Sequence, residues 1–352
     1  MNACTFFCLE VNILANRKDV AKLAGVSEAT VSRVFNNIGP IREETKHKVL
    51  QAAKELNYHP HAIAQSFARG KSNNIGVIVP YLPKIHLIST HYFSELLSGI
   101  GAMLGESGYG LLLLYQSQDE QKDYVKHFLS HKVDGCIILG SKNAKGEIEA
   151  LEKLHQLNLP YYLVNQTFSG YPFHSIDAEH DQGSFQAVSS LVSKGHERII
   201  FLNGPLEYSN STERLKGYRE ALLFNGLEPN SSELIFQGNY SRKSGYQAAA
   251  QIAPLLPKAR AVFAANDRMA IGLMQGLSEK GFQAGHDYAL IGYDDSELSK
   301  MTSPSLSTVK VPLFEMGQLA AQKVLHFISH DILAEKNERL PVTFIERESS
   351  KL

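Results

Sequence analysis

Apolar and polar positions follow two different rhythms along this chain. Between residues 16 and 36 apolar residues recur three and four apart: Val20, Ala21, Leu23 and Ala24 on one predicted helix, Val31 and Val34 on a second. Asn16 is placed to cap the first helix, with Asp19 in its first turn. Gly25 ends it, because glycine takes the left-handed backbone a tight exit needs. Val26 fills the angle between the helices. Ser27 caps the second helix, 28–36, which turns Glu28, Ala29, Ser32 and Arg33 outward. Two short helices joined by a three-residue turn are the arrangement that seats a second helix in a DNA major groove. The plain alternative is an ordinary helical hairpin. After a loop at 37–40, the spacing of Val49, Ala52, Ala53 and Leu56 predicts a third helix over 41–58. Tyr58-His59-Pro60 closes it, since the residue before a proline leaves the helical region.

From residue 75 the rhythm changes to short unbroken apolar runs, the mark of strands buried on both faces of a parallel sheet. These runs fall at 75–79, 111–114, 135–139, 161–164, 199–202, 234–236, 261–264, 288–291 and 342–346. Between them lie predicted helices over 93–107, 124–132, 147–157, 182–194, 213–224, 244–252, 268–280 and 314–330. So many alternating strands exceed one sheet of ordinary size and predict two doubly wound lobes. Ligands of such sheets lie beyond the carboxyl ends of the strands, here the cleft between the lobes.

The length of 352 residues fits about two or three domains, and 43% hydrophobic with 20% charged residues describes a globular chain. The net charge of −1 conceals an asymmetry: residues 17–71 carry ten Lys and Arg against five Asp and Glu. A basic module on an acidic body points to an anionic partner for the N-terminal part alone. Cys4, Cys8 and Cys136 supply neither a disulfide framework nor metal-ligand spacing, which favours a reducing cytoplasm. Residues 1–15 lack a basic start, and Glu10 interrupts their apolar run, so they are not read as a signal peptide. They are expected to be an unstructured leader. No run reaches the ~18 apolar residues of a membrane span.

Enzymatic motifs fail on inspection. Gly70-Lys71-Ser72 resembles the end of a P-loop, but Gln65 stands where that motif needs glycine and no strand precedes it. The glycines Gly99, Gly101 and Gly105 imitate a dinucleotide fingerprint with the wrong spacing and inside a helix; close helix packing explains them better. No G-x-S-x-G or H-E-x-x-H occurs. No metal or cofactor is called for.

The run DVAKLAGVSEATVSRVFN, followed by ELNYHPHAIAQSFARGKS, resembles the DNA-binding headpiece and hinge of the LacI/GalR family of bacterial transcription regulators, and the similarity continues to Arg347. The resemblance implies an all-α helix-turn-helix headpiece over 16–60 and a hinge helix and linker over 61–73. A two-lobed α/β domain of the periplasmic-binding-protein kind then follows, with the chain crossing between lobes three times. The first lobe is expected to comprise 74–176 plus 311–338, and the second 177–310 plus 339–352. Implied DNA contacts are Asn16, Ser27, Glu28, Ala29, Thr30, Ser32, Arg33, Asn36 and Tyr58, with Ala64 and Phe67 in the hinge helix. Phe67 stands where the family usually carries a leucine wedge, and an aromatic ring can also unstack a base step.

Effector contacts are expected at strand ends. Asn165, Arg214, Asn266 and Asp294 supply amide, guanidinium and carboxylate groups able to hold a ring of hydroxyls, and Tyr81, Phe93 and Tyr240 supply stacking surfaces. The family's pattern matches Arg214, Asn266 in AND and Asp294 in GYDD. Local alternatives stand beside each: Asn266 and Asp294 as helix caps, Asp267 and Asp295 as partners of nearby Lys or Arg. Where many relatives carry Gln, this chain has Val311. The reading is a cytoplasmic, homodimeric repressor of a carbohydrate-use operon that binds double-stranded operator DNA and a sugar or sugar phosphate. A nucleobase or nucleoside is the alternative effector; a transport-linked sugar-binding protein and an enzyme on the same fold are the rival classes.

Overall fold

The computed structural model describes residues 15–59, 70–81, 90–117, 121–229, 232–330 and 337–352. The chain divides into two compact units, Met1–Asn73 and Asn74–Leu352. Residues 1–14 of the expected leader and the hinge positions Ala64 and Phe67 lie outside the described residues.

The first unit is built from α1 (Arg17–Ala24), α2 (Glu28–Asn36) and α3 (Glu43–Glu55). Val20, Val31 and Val49 are fully buried at its centre, each worth roughly 1.5–3 kcal/mol of transfer free energy, with Ala21, Val34, Ala52 and Ala53 around them. Val26 and Leu56 pack against this core as expected. Leu23 does not: it is exposed, one position off the buried face of so short a helix. The third helix is shorter than its apolar spacing suggested. Asn57 turns left-handed (φ 48°) and ends it before Pro60 has any influence.

The second unit contains two parallel sheets. The six-stranded sheet runs β11–β5–β4–β3–β1–β2, from β1 (Asn74–Pro80), β2 (Gly110–Gln116), β3 (Gly135–Leu139), β4 (Tyr161–Val164), β5 (Ser175–Ala178) and β11 (Asn337–Leu340). The four-stranded sheet runs β7–β6–β8–β9, from β6 (Ile199–Asn203), β7 (Ile235–Gln237), β8 (Ala261–Ala264) and β9 (Ala289–Ile291). The intervening helices are α4 (His91–Glu106), α5 (Val125–Leu129), α6 (Lys145–Gln156), α7 (His180–Ser193), α8 (Ser209–Phe224), α9 (Arg242–Ile252), α10 (Asp267–Ser278), α11 (Glu297–Met301) and α12 (Leu313–His330). Strands with unbroken apolar runs, such as β3, β4, β6 and β8, are buried along their whole length.

Three strands and one helix escaped the apolar pattern. β5 (SIDA) and β11 (NERL) are short and polar, and β10 (Thr308–Lys310) and α11 lie in loops by composition. The expected lobe boundaries at 176/177 and 338/339 cut through β5 and β11, which both belong to the six-stranded sheet. The final strand is also corrected: β12 (Thr343–Ile345) pairs antiparallel with β10 rather than extending a parallel sheet. The chain leaves the first sheet after β5, returns through β10 to α12 and β11, and leaves again into β12. Gly99 explains the close seating of α4 on α12, since a Cβ there would lie 2.0 Å from the Phe314 carbonyl oxygen. Among the described residues no helix is long and apolar enough to cross a membrane.

Candidate functional site

The first unit presents α2 as a capped, rigid rod. Asn16 and Asp19 form a reciprocal capping box on α1: Asn16 Oδ1 accepts from the Lys18 and Asp19 amides at 2.9 and 3.2 Å, and Asp19 Oδ2 accepts from the Asn16 amide at 2.9 Å. Gly25 sits left-handed at φ 66°. Ser27 Oγ accepts from the Thr30 amide at 3.2 Å and lies 2.9 Å from the Thr30 hydroxyl. Glu28 is turned back onto Arg17, whose Nε donates to its carboxylate at 3.2 Å. Ala29 and Arg33 are exposed, and the Arg33 side chain has no ion pair or side-chain hydrogen bond among the described residues.

Two positions differ from the expectation of an outward, DNA-facing surface. Asn36 is buried at the end of α2, its Nδ2 donating to Ser32 Oγ at 3.3 Å. Tyr58 packs its ring edge-on against Phe35, centroids 5.7 Å apart, so most of its surface serves the core. Both side chains shape the end of α2 rather than standing free.

In the second unit the centre of the expected cleft is a residue the sequence reading missed. His180, the first residue of α7, is fully buried. Its Nε2 lies 2.7 Å from Asn165 Oδ1, while its Nδ1 lies 3.4 Å from Arg214 Nη2 and 3.3 Å from the Tyr293 hydroxyl. Arginine can only donate, so Nδ1 accepts and the proton resides on Nε2. Burial, with Arg214 and Arg339 nearby, holds the imidazole well below its ordinary range, and it is neutral.

Arg214 is buried on the second turn of α8, which begins four residues earlier than its apolar pattern indicated. Its Nη1 donates to the Ala265 carbonyl at 2.7 Å, and its guanidinium lies 4.1 Å from the centre of the Tyr293 ring. The Nε hydrogen finds no partner among the described residues. Tyr240, held left-handed at φ 64°, sits 6.0 Å from the same guanidinium and donates its hydroxyl to Asn210 Oδ1 at 2.8 Å. Asp294, also at positive φ (108°), follows β9; its amide is fixed by the Val309 carbonyl at 2.8 Å, and its carboxyl has no side-chain partner among the described residues. Burial pushes that carboxyl up to about 8, with Arg214 opposing the shift.

Asn266 fulfils its local alternative: Oδ1 caps α10 through the Met269 amide at 2.9 Å, and Nδ2 donates to the Tyr240 carbonyl at 3.1 Å. It therefore holds Tyr240 in place. Among the described residues Asp267 pairs with no cation. It accepts from the Ser296 amide and hydroxyl and the Thr308 hydroxyl at 2.7–2.9 Å, and burial pushes it up to about 7 against those donors. Asp295 does pair, with Arg347.

Two expected stacking residues are displaced. Phe93 faces into the core, and its neighbour Tyr92 turns to the cleft instead, with its hydroxyl hydrogen-bonded to Asn165. Tyr81 is exposed beside Tyr115, ring centroids 6.3 Å apart, at the β2 edge of the sheet. The first sheet thus brings Asn165 to the cleft, α4 brings Tyr92, and the second lobe brings Arg214, Tyr240 and Asp294. Tyr92 was visible as a second ring beside Phe93; His180 gave no signal, because the strand before it is too polar to announce itself.

Comparison with known proteins places both units. Residues 17–61 match the family of bacterial regulatory proteins of the lacI type, and residues 188–350 match a periplasmic-binding-protein-like domain. The chain is 35% identical to the HTH-type transcriptional regulator AscG of Escherichia coli strain K12, over 85% of this chain and 88% of that one. It is 33% identical to the ribose operon repressor of the same strain, over 96% and 100%. Among solved structures it is similar to the lac repressor dimer bound to operator and the anti-inducer ONPF, with TM-score 0.82, 29% identity and coverage of 96% and 99%. A headpiece with a capped, outward-facing second helix, joined in one chain to two parallel sheets, thus has full-length counterparts. The chain belongs to the lacI family of bacterial regulatory proteins and is a DNA-binding transcription regulator.

Proposed function

We propose that the chain is a homodimeric repressor of a carbohydrate-use operon, released from or held on its operator by a sugar or sugar phosphate bound between the two lobes. The carrying observation is the convergence, around neutral His180, of Asn165 and Tyr92 from one lobe with Arg214, Tyr240 and Asp294 from the other. Asp294 offers an open acceptor, Arg214 Nε an unpaired donor, and two tyrosine rings flank them, which suits a polyhydroxylated ring with one apolar face. The ribose operon repressor among the relatives makes a sugar the first effector class to test, with a nucleobase as the alternative. Two headpieces on a pseudo-palindrome give the contact area that specific binding needs. The effector is bound and released unchanged.

The test is a thermal-shift screen with D-ribose, cellobiose, D-glucose 6-phosphate and hypoxanthine, on the wild type and on Arg214→Ala. A sugar that raises the melting temperature of the wild type alone supports the reading. Hypoxanthine acting in place of every sugar replaces the carbohydrate with a purine, and a hit that persists undiminished in Arg214→Ala removes the pocket from this cleft.

A further inference from the structure

Arg339 lies on β11, the edge strand of the six-stranded sheet, in register with Asp177 of β5. Its Nη2 donates to Glu213 Oε2 at 2.7 Å, to Asp181 Oδ1 at 2.9 Å and to the Ala178 carbonyl at 3.2 Å. Asp181 is the second residue of α7 and Glu213 lies on α8, helices that pack on one another and on strands of the second lobe. One guanidinium rooted in the first sheet is therefore clasped by two helices of the other lobe. Lys216 closes the group from α8, 3.2 Å from Asp181. Glu213 immediately precedes Arg214, so any movement of this part of α8 carries both residues together.

We infer that Arg339 is a positioning residue for the effector response: by clasping Asp181 and Glu213 it fixes α7 and α8, and with them Arg214, against the sheet of the first lobe. Its meaning for the effector rests on the proposed role of Arg214, but the clasp is tested without any effector. The surroundings make the clasp strong in one direction. Asp177, Asp181 and Glu213 crowd together, with Arg339 and Arg214 acting on Asp177 and Lys216 on Asp181. Burial and the two neighbouring aspartates push Glu213 up to about 8, with Arg339 opposing. Loss of the guanidinium removes both hydrogen bonds that tie the first sheet to Asp181 and Glu213.

The experiment compares backbone hydrogen exchange in the full chain for wild type, Arg339→Met, Arg339→Lys, Glu213→Gln and the double variant Arg339→Met/Glu213→Gln. Arg339→Met is expected to speed exchange about threefold or more in residues 209–216 and leave 261–278 unchanged. Arg339→Lys restores part of the protection, because an ammonium reaches at least one of the carboxylates. The double variant exchanges no faster than the faster single, since both remove one contact. In parallel, the side-chain Nε–H resonance of Arg214, assigned by its loss in Arg214→Lys, should shift in Arg339→Met. Unchanged exchange at 209–216, equal acceleration everywhere, or Arg339→Lys as fast as Arg339→Met overturns the clasp. Faster exchange with an unmoved Arg214 resonance overturns the positioning role, whatever the effector screen finds.

Discussion

His180 Nε2 lies 2.7 Å from the side-chain oxygen of Asn165, and this bond joins the carboxyl end of β4 to the first residue of α7. The opposite ring nitrogen accepts from Arg214, so a single neutral imidazole connects a residue of each lobe. Its position depends on the tautomer: protonation of Nδ1 would set a hydrogen against the Arg214 guanidinium.

Acid should therefore weaken the fold through His180. The folded imidazole titrates well below 6.5 while the unfolded one titrates near 6.5, so below that pH the unfolded chain binds the extra proton. Stability is complete above pH 6.5 and falls as the pH drops, with a limiting slope of about 1.4 kcal/mol per unit. His127 and His196 are also lowered by burial, so the measurement is a difference. Urea unfolding of wild type and His180→Gln from pH 5 to 8 should show the variant ~1–3 kcal/mol less stable at pH 8 and the gap narrowing in acid. A constant gap would mean that His180 is not the titrating group.

The glycines of α4 separate packing from propensity. At Gly99 a Cβ would meet the Phe314 carbonyl at 2.0 Å, and at Gly101 it would meet nothing within 4 Å. Gly99→Ala must push α12 away from α4 and should cost ~1–3 kcal/mol or more. Gly101→Ala should instead stabilise the chain by up to ~1 kcal/mol, the helix-propensity difference. Thermal unfolding of the two variants gives shifts of opposite sign; matching shifts would remove the close helix contact.

What the sequence revealed depended on how much apolar surface each element buries. β3, β4, β6 and β8 are buried throughout and stood out as continuous runs, and the caps Asn16, Ser27 and Gly25 declared the headpiece. β5 and β11 were invisible because they are short and half polar: Ile176, Ala178 and Leu340 join the core, while Asp177 and Arg339 belong to the charged group between lobes. Asn165, Arg214, Tyr240 and Asp294 were all expected contacts, and the structure gathers them into one cluster to which it adds His180 and Tyr92. Phe93 was misassigned to the cleft because adjacent residues on a helix point about 100° apart, which no spacing rule resolves from one ring to the next. His180 was missed for want of a flanking pattern, although it ties the two halves of the cluster together.

In the headpiece, Arg33 is the exposed cation on the outward face of α2, with its fork of donors unspent among the described residues. If it reads a guanine, Arg33→Ala should lose ~1–3 kcal/mol at the cognate base pair and little on unrelated DNA. Ser27→Ala should weaken all sequences alike and also loosen the start of α2, since Ser27 Oγ caps the Thr30 amide. Binding isotherms on an operator obtained by in vitro selection and on a scrambled duplex separate the two. Equal losses on both duplexes for Arg33→Ala would make it a phosphate contact.

If Asp294 holds the effector as proposed, binding is coupled to pH. Burial pushes its carboxyl up to about 8, and Arg214 only partly restrains the shift. An effector hydroxyl that donates to the ionised carboxylate would require release of the proton that the carboxyl holds at neutral pH. Affinity should therefore rise with pH from 6 to 8, at most about tenfold per unit, and level off above 8. Calorimetry in buffers of different ionisation enthalpy should register up to one proton released per effector bound at pH 7. Asp294→Asn is expected to bind more weakly at pH 8 and to show no pH dependence, because an amide accepts without titrating. Affinity that falls across the same range would mean that Asp294 donates its proton to the effector, and a flat wild-type profile would remove Asp294 from the site.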